Sequence, residues 1–306
     1  MFNPLPKIKK PLVSVIVPTY NRGYCLKRTV QSVIDQTFDD WELILVDNHS
    51  TDNTDDVITN YTDLRIKHIK IHNEGVVAAS RNKGIDTASG EYLAFLDSDD
   101  WWTPEKLEKS VQALEKGADV VYHDLYRMLS GTQKPTFRRK VKTRPIKTPV
   151  FEDLLFNGNA ITNSSVVTRS GIMKKAGGFS EDKQLIAVED YDTWLRIARL
   201  TDKFTRLPYC LGYYTLGEDN LSNTSQSIVN LKRLLALYND NIQQSRKHIP
   251  SWMAYKLANT YYKQDEFTQS KKYAIETIRK PSNIRLKINS ISILTSIIYR
   301  RVFNAN

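Results

Sequence analysis

Tyr92-Leu93-Ala94-Phe95-Leu96-Asp97-Ser98-Asp99-Asp100 decides how this chain is read. An apolar run of strand length ends by presenting three carboxylates within four residues. Like charges this close resist joint ionisation, so the ending needs a reason. Capping of the next helix is one. Thr103-Pro104-Glu105 weakens it, because Thr at the N-cap with Pro at the first helical position already makes a good helix start. The acids are thus expected to have no structural role. Hard carboxylate oxygens on a loop suit Mg²⁺ or Mn²⁺, ions that complete their shell with substrate phosphates. A metal-diphosphate site is the expectation, ahead of a solvated acidic loop.

Outward from this stretch, short β-rich runs alternate with helical patterns. Val13-Ser14-Val15-Ile16-Val17 reads as a strand, Tyr24 to Gln36 as a helix, and Glu42-Leu43-Ile44-Leu45-Val46 as a second strand. A helix capped near Asp52 or Asn53 follows, then strand-like Arg65 to Ile71, helical Val76 to Ala88 and the strand Glu91 to Leu96. Pro104 to Lys116 is helical and Ala118 to Tyr122 a strand. This alternation implies a parallel sheet with helices on both faces. Ligands on such sheets bind at the carboxyl ends of the strands. After Leu125 the alternation stops, and the basic stretch to Lys147, with Pro135 and Pro145, reads as a long loop. From Ser225 onward only helices are predicted, broken at Pro250 and near Pro281. Trp252 to Lys280 carries the pattern of one tetratricopeptide-like hairpin.

At 306 residues the chain is long enough for a real core and more than one domain. Cys25 and Cys210, far apart, give neither a disulfide framework nor a metal knuckle, which fits a reducing cytosol. The first residues, Met1 to Lys7, lack the apolar core of a signal peptide, and no segment has the length of a spanning helix. The net charge of +10 is regional. From Ser245 to the end stand twelve Lys/Arg against Asp265, Glu266 and Glu276, and Lys134 to Lys147 holds seven bases and no acid. A partner surface explains this better than general solubility.

Four further motifs stand in order around the acidic one, and together they resemble the family-2 glycosyltransferases over about the first 215 residues. Val13 to Arg22 is similar to the family's opening strand and loop, and Val46-Asp47-Asn48-His49-Ser50-Thr51-Asp52 to its second-strand motif. Asn73-Glu74-Gly75 with Ser80-Arg81-Asn82-Lys83-Gly84 resembles the segment beneath the donor. Asp97-Ser98-Asp99 resembles the DxD metal motif, and Val188-Glu189-Asp190-Tyr191-Asp192-Thr193-Trp194-Leu195-Arg196 the acidic motif that carries the base. One departure is Asp47-Asn48-His49-Ser50, where the family often has Asp-Asp-Gly-Ser, so a second nucleoside-side acid is absent.

The resemblance implies the GT-A fold: α/β, with a mostly parallel sheet flanked by helices and here an all-helical C-terminal extension. It divides the chain into a nucleotide-sugar-binding half (1–124), an acceptor-binding half with the base (125–222) and the extension (223–306). Pro18, Tyr20 and Asp47 are implied to contact the nucleoside, Asp47 accepting from a uracil ring, with Asn21 and Ser98 on the same side. Arg81 is implied to approach the uracil or diphosphate, Asp97 the ribose or metal, and Asp99 to ligate the metal. Asp190 is the implied base, with Glu189 second. Such an enzyme is a metal-dependent, inverting hexosyltransferase. It takes a UDP-sugar and Mn²⁺ or Mg²⁺ to a lipid-linked glycan acceptor in O-antigen or capsule synthesis, and lies peripherally on the inner face of the cytoplasmic membrane.

Elementary chemistry agrees with those roles. A bound cation neutralises a leaving diphosphate, a carboxylate within reach takes the acceptor proton, and the partners must be held in line. Asp190 at a predicted helix start sits where the dipole favours the negative form, although acids occur there for that reason alone. Trp101 and Trp102 offer either a stacking face or packing, and Trp194 and Leu195 read as core; His123-Asp124, at a strand end, reads as an ordinary hydrogen-bonded His ahead of a contact with the acceptor. His49, His68, His72 and His248 lack metal-ligand spacing. The basic helix Ile288 to Val302 fits contact with an anionic membrane or a packed helix with a solvated edge. Nucleic-acid binding lacks a module, and no G-x-G-x-x-G follows a strand. The alternative from another class is a non-catalytic nucleotide-binding scaffold acting through its basic helical arm.

Overall fold

The computed structural model describes residues 10–129, 140–216, 224–245, 248–280 and 283–303. The readings of Met1 to Lys7, of Lys134, Arg138 and Arg139 in the basic stretch, and of Pro281 lie outside them. The chain groups into two compact units that are interleaved in sequence. Unit 1 takes residues 1–145, 160–179 and 199–218; unit 2 takes 146–159, 180–198 and 219–306. The linear division at 124 and 222 therefore does not describe how the chain packs. The chain leaves the first unit and comes back twice to add strands to its sheet.

Unit 1 begins with β1 (Val13–Thr19), α1 (Gly23–Ile34), β2 (Trp41–Asp47), α2 (Thr54–Thr59), β3 (Ile66–Lys70), α3 (Val77–Thr87) and β4 (Tyr92–Phe95). Next come β5 (Trp101–Trp102), α4 (Lys106–Glu115), β6 (Val120–Leu129) and β7 (Lys140–Val141). The chain then returns with β8 (Val167–Arg169), α6 (Ser170–Lys175) and β9 (Phe204–Leu216). The sheet runs β3-β2-β1-β4-β8-β6-β9-β5, with β7 beside β6. Its first four strands are parallel, as the alternation implies. Beyond β4 the sheet is mixed: β8 is antiparallel to both β4 and β6, whereas β9 runs parallel to β6. Every residue of β1, β2 and β4 is buried, which explains their continuous apolar runs. Strand order reverses between β1 and β4, and at such a switch point a crevice opens beyond the carboxyl ends of the strands.

Two boundaries differ from expectation. The strand predicted to end at Tyr122 continues to Leu129, and β7 pairs back on it with Leu125 opposite Val141. His123, Asp124 and Arg127 interrupt its apolar pattern, but the strand sits between two neighbours, and Tyr126 packs on Tyr213 with ring centroids 5.3 Å apart. His123 is therefore inside a strand and fully buried, and burial holds its pKa down at about 3. Helix α4 starts at Lys106, and the Thr103 hydroxyl makes no cap bond.

Unit 2 is helical: α5 (Val150–Asn157), α7 (Glu189–Ala198), α8 (Thr224–Leu237), α9 (Asn239–Ser245), α10 (Ser251–Lys263), α11 (Phe267–Arg279) and α12 (Ile284–Phe303). The α10–α11 hairpin predicted from Trp252 to Lys280 is present. It shares a cluster of Ala258, Ala274, Ile293 and Ile297 with α12. Trp194 and Leu195 are core residues as read.

The amino ends of the unit 1 strands are tied by one carboxylate. Glu42 accepts hydrogen bonds from the Ser14 hydroxyl (2.6 Å), from the backbone and hydroxyl of Ser89 (2.7 and 2.6 Å), and from Lys67 (2.6 Å). A side chain at Gly90 would lie 2.7 Å from the Ser14 nitrogen, so only glycine lets β4 start beside this knot. Burial alone would raise the Glu42 pKa, but the bonds from Lys67, Ser14 and Ser89 outweigh it and hold the value at about 2, against an ordinary 4.5. The resulting stability is complete above pH 4.5 and lost as pH falls towards 2. It amounts to roughly 3 kcal/mol at neutral pH. Urea unfolding at pH 7 should show Glu42→Gln costing about 2–3 kcal/mol, and the wild-type advantage should shrink below pH 4.5 and vanish towards pH 2.

Candidate functional site

The loops at the carboxyl ends of β1, β2 and β4 are bracketed together. Asn21, in a left-handed backbone conformation (φ 51°), accepts from the Thr51 backbone through its side chain (2.8 Å) and donates its own N–H to the Ser50 hydroxyl (2.8 Å). The Asp47 carboxylate accepts from the Ser50 backbone (3.1 Å) and from its hydroxyl. Asp47 and Pro18 are buried, whereas Tyr20 is 53% exposed. A side chain at Gly23 would meet Asn53 at 2.1 Å, so α1 starts hard against the β2 loop. The residues expected to meet a nucleoside thus divide into one open ring, Tyr20, and a set that shapes the loops beside it.

The acidic stretch is a tight turn, with the Asp100 amide donating to the Asp97 carbonyl (3.0 Å). Four residues tether it. The Thr29 hydroxyl on α1 lies 2.8 Å from the carbonyls of both Ser98 and Asp100. Ser164 accepts from the Asp97 backbone (3.2 Å), and Arg28 donates to the Asp99 carbonyl (3.2 Å). Thr215 on β9 donates its backbone N–H to the Asp100 carboxylate (2.8 Å). The expectation that all three acids lack a structural role is corrected here, because Asp100 is fully buried and anchors β9.

Asp97 is already partnered. Arg81 reaches it at 2.8 Å and Asn163 at 3.2 Å. The motif around Arg81 explains its placement. Gly84 lets α3 lie against β1, since a side chain there would meet Ile16 at 2.4 Å. Asn82 accepts from the Phe179 amide (2.8 Å) and donates to its carbonyl (2.9 Å), which locks α3 along its length. Arg81 therefore carries the motif's charge, while Asn82 and Gly84 position it.

Burial, and then the neighbouring Asp97 charge, raise the Asp99 carboxyl above its ordinary range, with Arg22 and Arg28 offsetting part of that. Burial and Asp99 push Asp100 well up. Two carboxylates that repel each other, one of them lacking a full counter-charge, fit a hard divalent cation on Asp99 and Asp97. Trp101 and Trp102 resolve to packing. Trp101 stacks on Tyr213 at 4.8 Å under the Arg28 guanidinium, and Trp102 is buried with its ring N–H on the Ser164 carbonyl (2.7 Å).

Sequence reasoning missed several neighbours. His49 and His72, far apart along the chain, stack with centroids 3.8 Å apart at the ends of β2 and β3. Ligand atoms of Asp47, Asp55 and His68 come within 4.8 Å of one another, but Lys70 ion-pairs Asp55 and gives that cluster its own cation. Thr29, Ser164 and Thr215 had no signal, because a buried hydroxyl that holds a loop looks like any other polar residue in an element.

Asp190 and Glu189 belong to unit 2, at the start of α7, apart in grouping from the donor-side residues of unit 1. Ala187 just before them has φ 71°, a strained value for a residue with a side chain. Asp190 caps the Tyr191 amide (2.6 Å), whereas Glu189 is buried. Asp190 lines a cavity within unit 2 and Glu189 does not, which favours Asp190 between the two candidate bases.

The profile described as Glycosyl transferase family 2 matches residues 14–173, the stretch that carries these loops and the acidic turn. The teichuronic acid biosynthesis glycosyltransferase TuaG of Bacillus subtilis is 32% identical over 219 residues, which are 70% of this chain and 82% of TuaG. The Escherichia coli enzyme WfgD, named UDP-Glc:alpha-D-GlcNAc-diphosphoundecaprenol beta-1,3-glucosyltransferase, is 33% identical over 140 residues, 43% of this chain and 55% of WfgD. S. aureus TarS 1-349 in complex with UDP matches with a TM-score of 0.57 at 19% identity, covering 94% of this chain and 90% of that one. The mannosyltransferase PcManGT from Pyrobaculum calidifontis, in complex with GDP-Man and Mn²⁺, matches at 0.57 and 16%, covering 98% and 89%. At such identities the two structures speak for the GT-A fold alone.

The Arg81–Asp97 pair gives a test of the site's construction. The Arg81 side chain is 7% exposed and that of Asp97 30%. Removing the cation leaves a carboxylate facing Asp99 with less compensation. Arg81→Met should cost on the order of 3 kcal/mol in urea unfolding, and Arg81→Lys clearly less.

Proposed function

The chain belongs to glycosyl transferase family 2, and from that premise we propose that it moves a hexose from a UDP-sugar to a glycan acceptor with inversion. The acceptor is a sugar on a polyprenyl diphosphate, and the product is part of a surface polysaccharide such as O-antigen or capsule. The observation that carries the reading is the acidic turn behind β4. Its carboxylates are crowded, burial and the neighbouring charge raise Asp99, and the turn stands at the switch point where a doubly wound sheet takes its ligand. The name of WfgD, with its UDP donor and diphospholipid-linked acceptor, supports the choice of substrates.

Tyr20 offers its exposed ring to the base, and Asp47 has lone pairs to spare once Ser50 is served. Arg81 holds Asp97 in place towards the ribose. Asp99, with Asp97, holds Mn²⁺ or Mg²⁺, which when bound neutralises charge on the leaving diphosphate. Asp190 takes the proton of the attacking acceptor hydroxyl. Direct attack at the anomeric carbon inverts it, so an α-linked UDP-sugar yields a β-linkage.

No helix among the described residues is long and apolar enough to cross a membrane. Peripheral contact on the cytoplasmic face is supported by α12, which is apolar on two opposite sides. Ile293 and Ile297 pack inside the helical cluster. Ile284, Ile288, Ile291 and Ile298 form a second stripe and are 70, 58, 49 and 62% exposed. Arg285 and Lys287 flank that stripe near its start. Isoleucines flanked by cations suit the interface of an anionic bilayer.

Three measurements test these readings. Calorimetric titration of UDP should show binding with Mn²⁺ that is lost in EDTA and in Asp99→Ala; no binding of UDP in either condition defeats the donor assignment. Asp190→Asn should keep that binding and lose about 10²–10⁴-fold in transfer, whereas Glu189→Gln should lose far less. In flotation with vesicles containing phosphatidylglycerol, the wild-type chain should rise with the lipid and Ile291→Glu/Ile298→Glu should stay behind. Raised salt should weaken the wild-type association.

A further inference from the structure

The cavity within unit 2 has a volume of about 570 Å³, and one of its walls is a single face of α10. Trp252, Lys256, Asn259 and Thr260 follow at helical spacing and all line it, with Asp190 also at its edge. The aromatic residue is rigidly set. The Trp252 ring N–H donates to the Leu155 carbonyl (3.0 Å), Tyr191 meets the ring edge-on at 5.6 Å, and a side chain at Gly158 would lie 3.2 Å from it. The polar groups beside it are held far more loosely. Among the described residues, Lys256 and Asn259 have no hydrogen-bond or ion-pair partner. The Lys256 ammonium has only the Trp252 ring, 5.7 Å from its centroid. The walls around Lys256 desolvate that ammonium enough to lower its pKa, and the nearby Asp190 charge offsets only part of this. Asn157 and Asn230, by contrast, are occupied, bonding Asp153 (2.8 Å) and the Ile186 carbonyl (2.6 Å).

A fixed indole, an unengaged amide and an ammonium with no ion-pair partner, its charge only partly offset by Asp190, make a surface for a sugar that carries a negative group. Indole covers the apolar face of a pyranose, the amide pairs with hydroxyls, and the ammonium answers an anion. We propose that this cavity is the acceptor subsite and that it selects an anionic glycan, with Lys256 taking a phosphate or carboxylate of the acceptor while Asp190 addresses its hydroxyl. This rests on the reading of Asp190 as the base. It makes Lys256 a specificity residue contributed by the helical extension, outside the stretch matched by the family profile.

The test uses the full chain and three probes in calorimetric titration: citronellyl-diphospho-N-acetylglucosamine, methyl glucuronide, and neutral octyl N-acetylglucosaminide. At least one anionic probe should bind about 10- to 100-fold more tightly than the neutral one. Preference for the diphosphate or for the glucuronide identifies which anion the site reads. Lys256→Ala should abolish the preference and leave the neutral probe unchanged, while Lys256→Arg restores it. UDP binding with Mn²⁺ and the thermal midpoint should not move in Lys256→Ala, which separates this site from the donor site and from folding. Equal binding of charged and neutral probes by the wild type, no binding of either anionic probe, or an undiminished preference in Lys256→Ala overturns the proposal. If the preference depends on Lys256 but UDP never binds, the assignment of a UDP-sugar donor falls and the anionic glycan site stands.

Discussion

Mutual repulsion among Asp97, Asp99 and Asp100 is the constraint that most of unit 1 is arranged to contain. Each acid meets it differently. Asp97 is given a guanidinium and an amide, and Asp100 is buried with a backbone donor from β9. Asp99 is left with the weaker help of Arg22 and Arg28 at a distance. Three carboxylates of one turn thus become a positioned acid, an anchor and the acid still short of charge. Only the last kind attracts a cation strongly, so the selectivity of the turn follows from how its neighbours are spent.

The surrounding elements look different in that light. Helix α1 contributes Thr29 to two carbonyls of the turn, and α3 contributes Arg81. β9 crosses back into the sheet to bring Thr215. Helix α3 can do this only because Gly84 allows it against β1 and Asn82 clasps Phe179. At the opposite end of the strands, Glu42 collects donors from β1, β3 and the residues before β4. The amino ends are thereby closed by a satisfied charge, whereas the carboxyl ends hold an unsatisfied one. Such a polarity lets one end of a sheet bind ligands without loosening the other.

What could be read from the sequence follows the range of the interactions. Strands β1, β2 and β4 were legible because burial on both faces writes apolar runs directly into the chain, whereas β3, a half-exposed edge strand, was legible from its place in the alternation. The acidic turn was legible because charge after such a run has few explanations. The continuation of β6 past Tyr122 was not, since its pairing is with β9, some eighty residues later, and backbone pairing leaves no pattern in side chains. The anchoring role of Asp100 was hidden for the same reason, its donor being Thr215. The interleaving of the two units also had no local sign. Short returning strands such as β8, three residues long, carry too little sequence to announce themselves.

The regional basicity of the C-terminal helices was legible as charge but not as use, and the structure divides it. Arg300 is satisfied within the helices, by Asp265 at 2.6 Å and by the rings of Tyr262 and Phe267. Lys256 points its charge into a cavity, while Arg285 and Lys287 sit near the exposed isoleucines of α12. A helix that only packs on its neighbours needs one apolar face. Ile293 and Ile297 already provide it, so the second row, from Ile284 to Ile298, adds nothing to that packing. Exposed in water, a row of this kind costs solubility and invites association, which makes it expensive to keep unless something apolar covers it. A basic helix with a solvated edge would need the cations and not the isoleucines. The observed helix has both, and that combination is what the proposed contact with an anionic bilayer rests on.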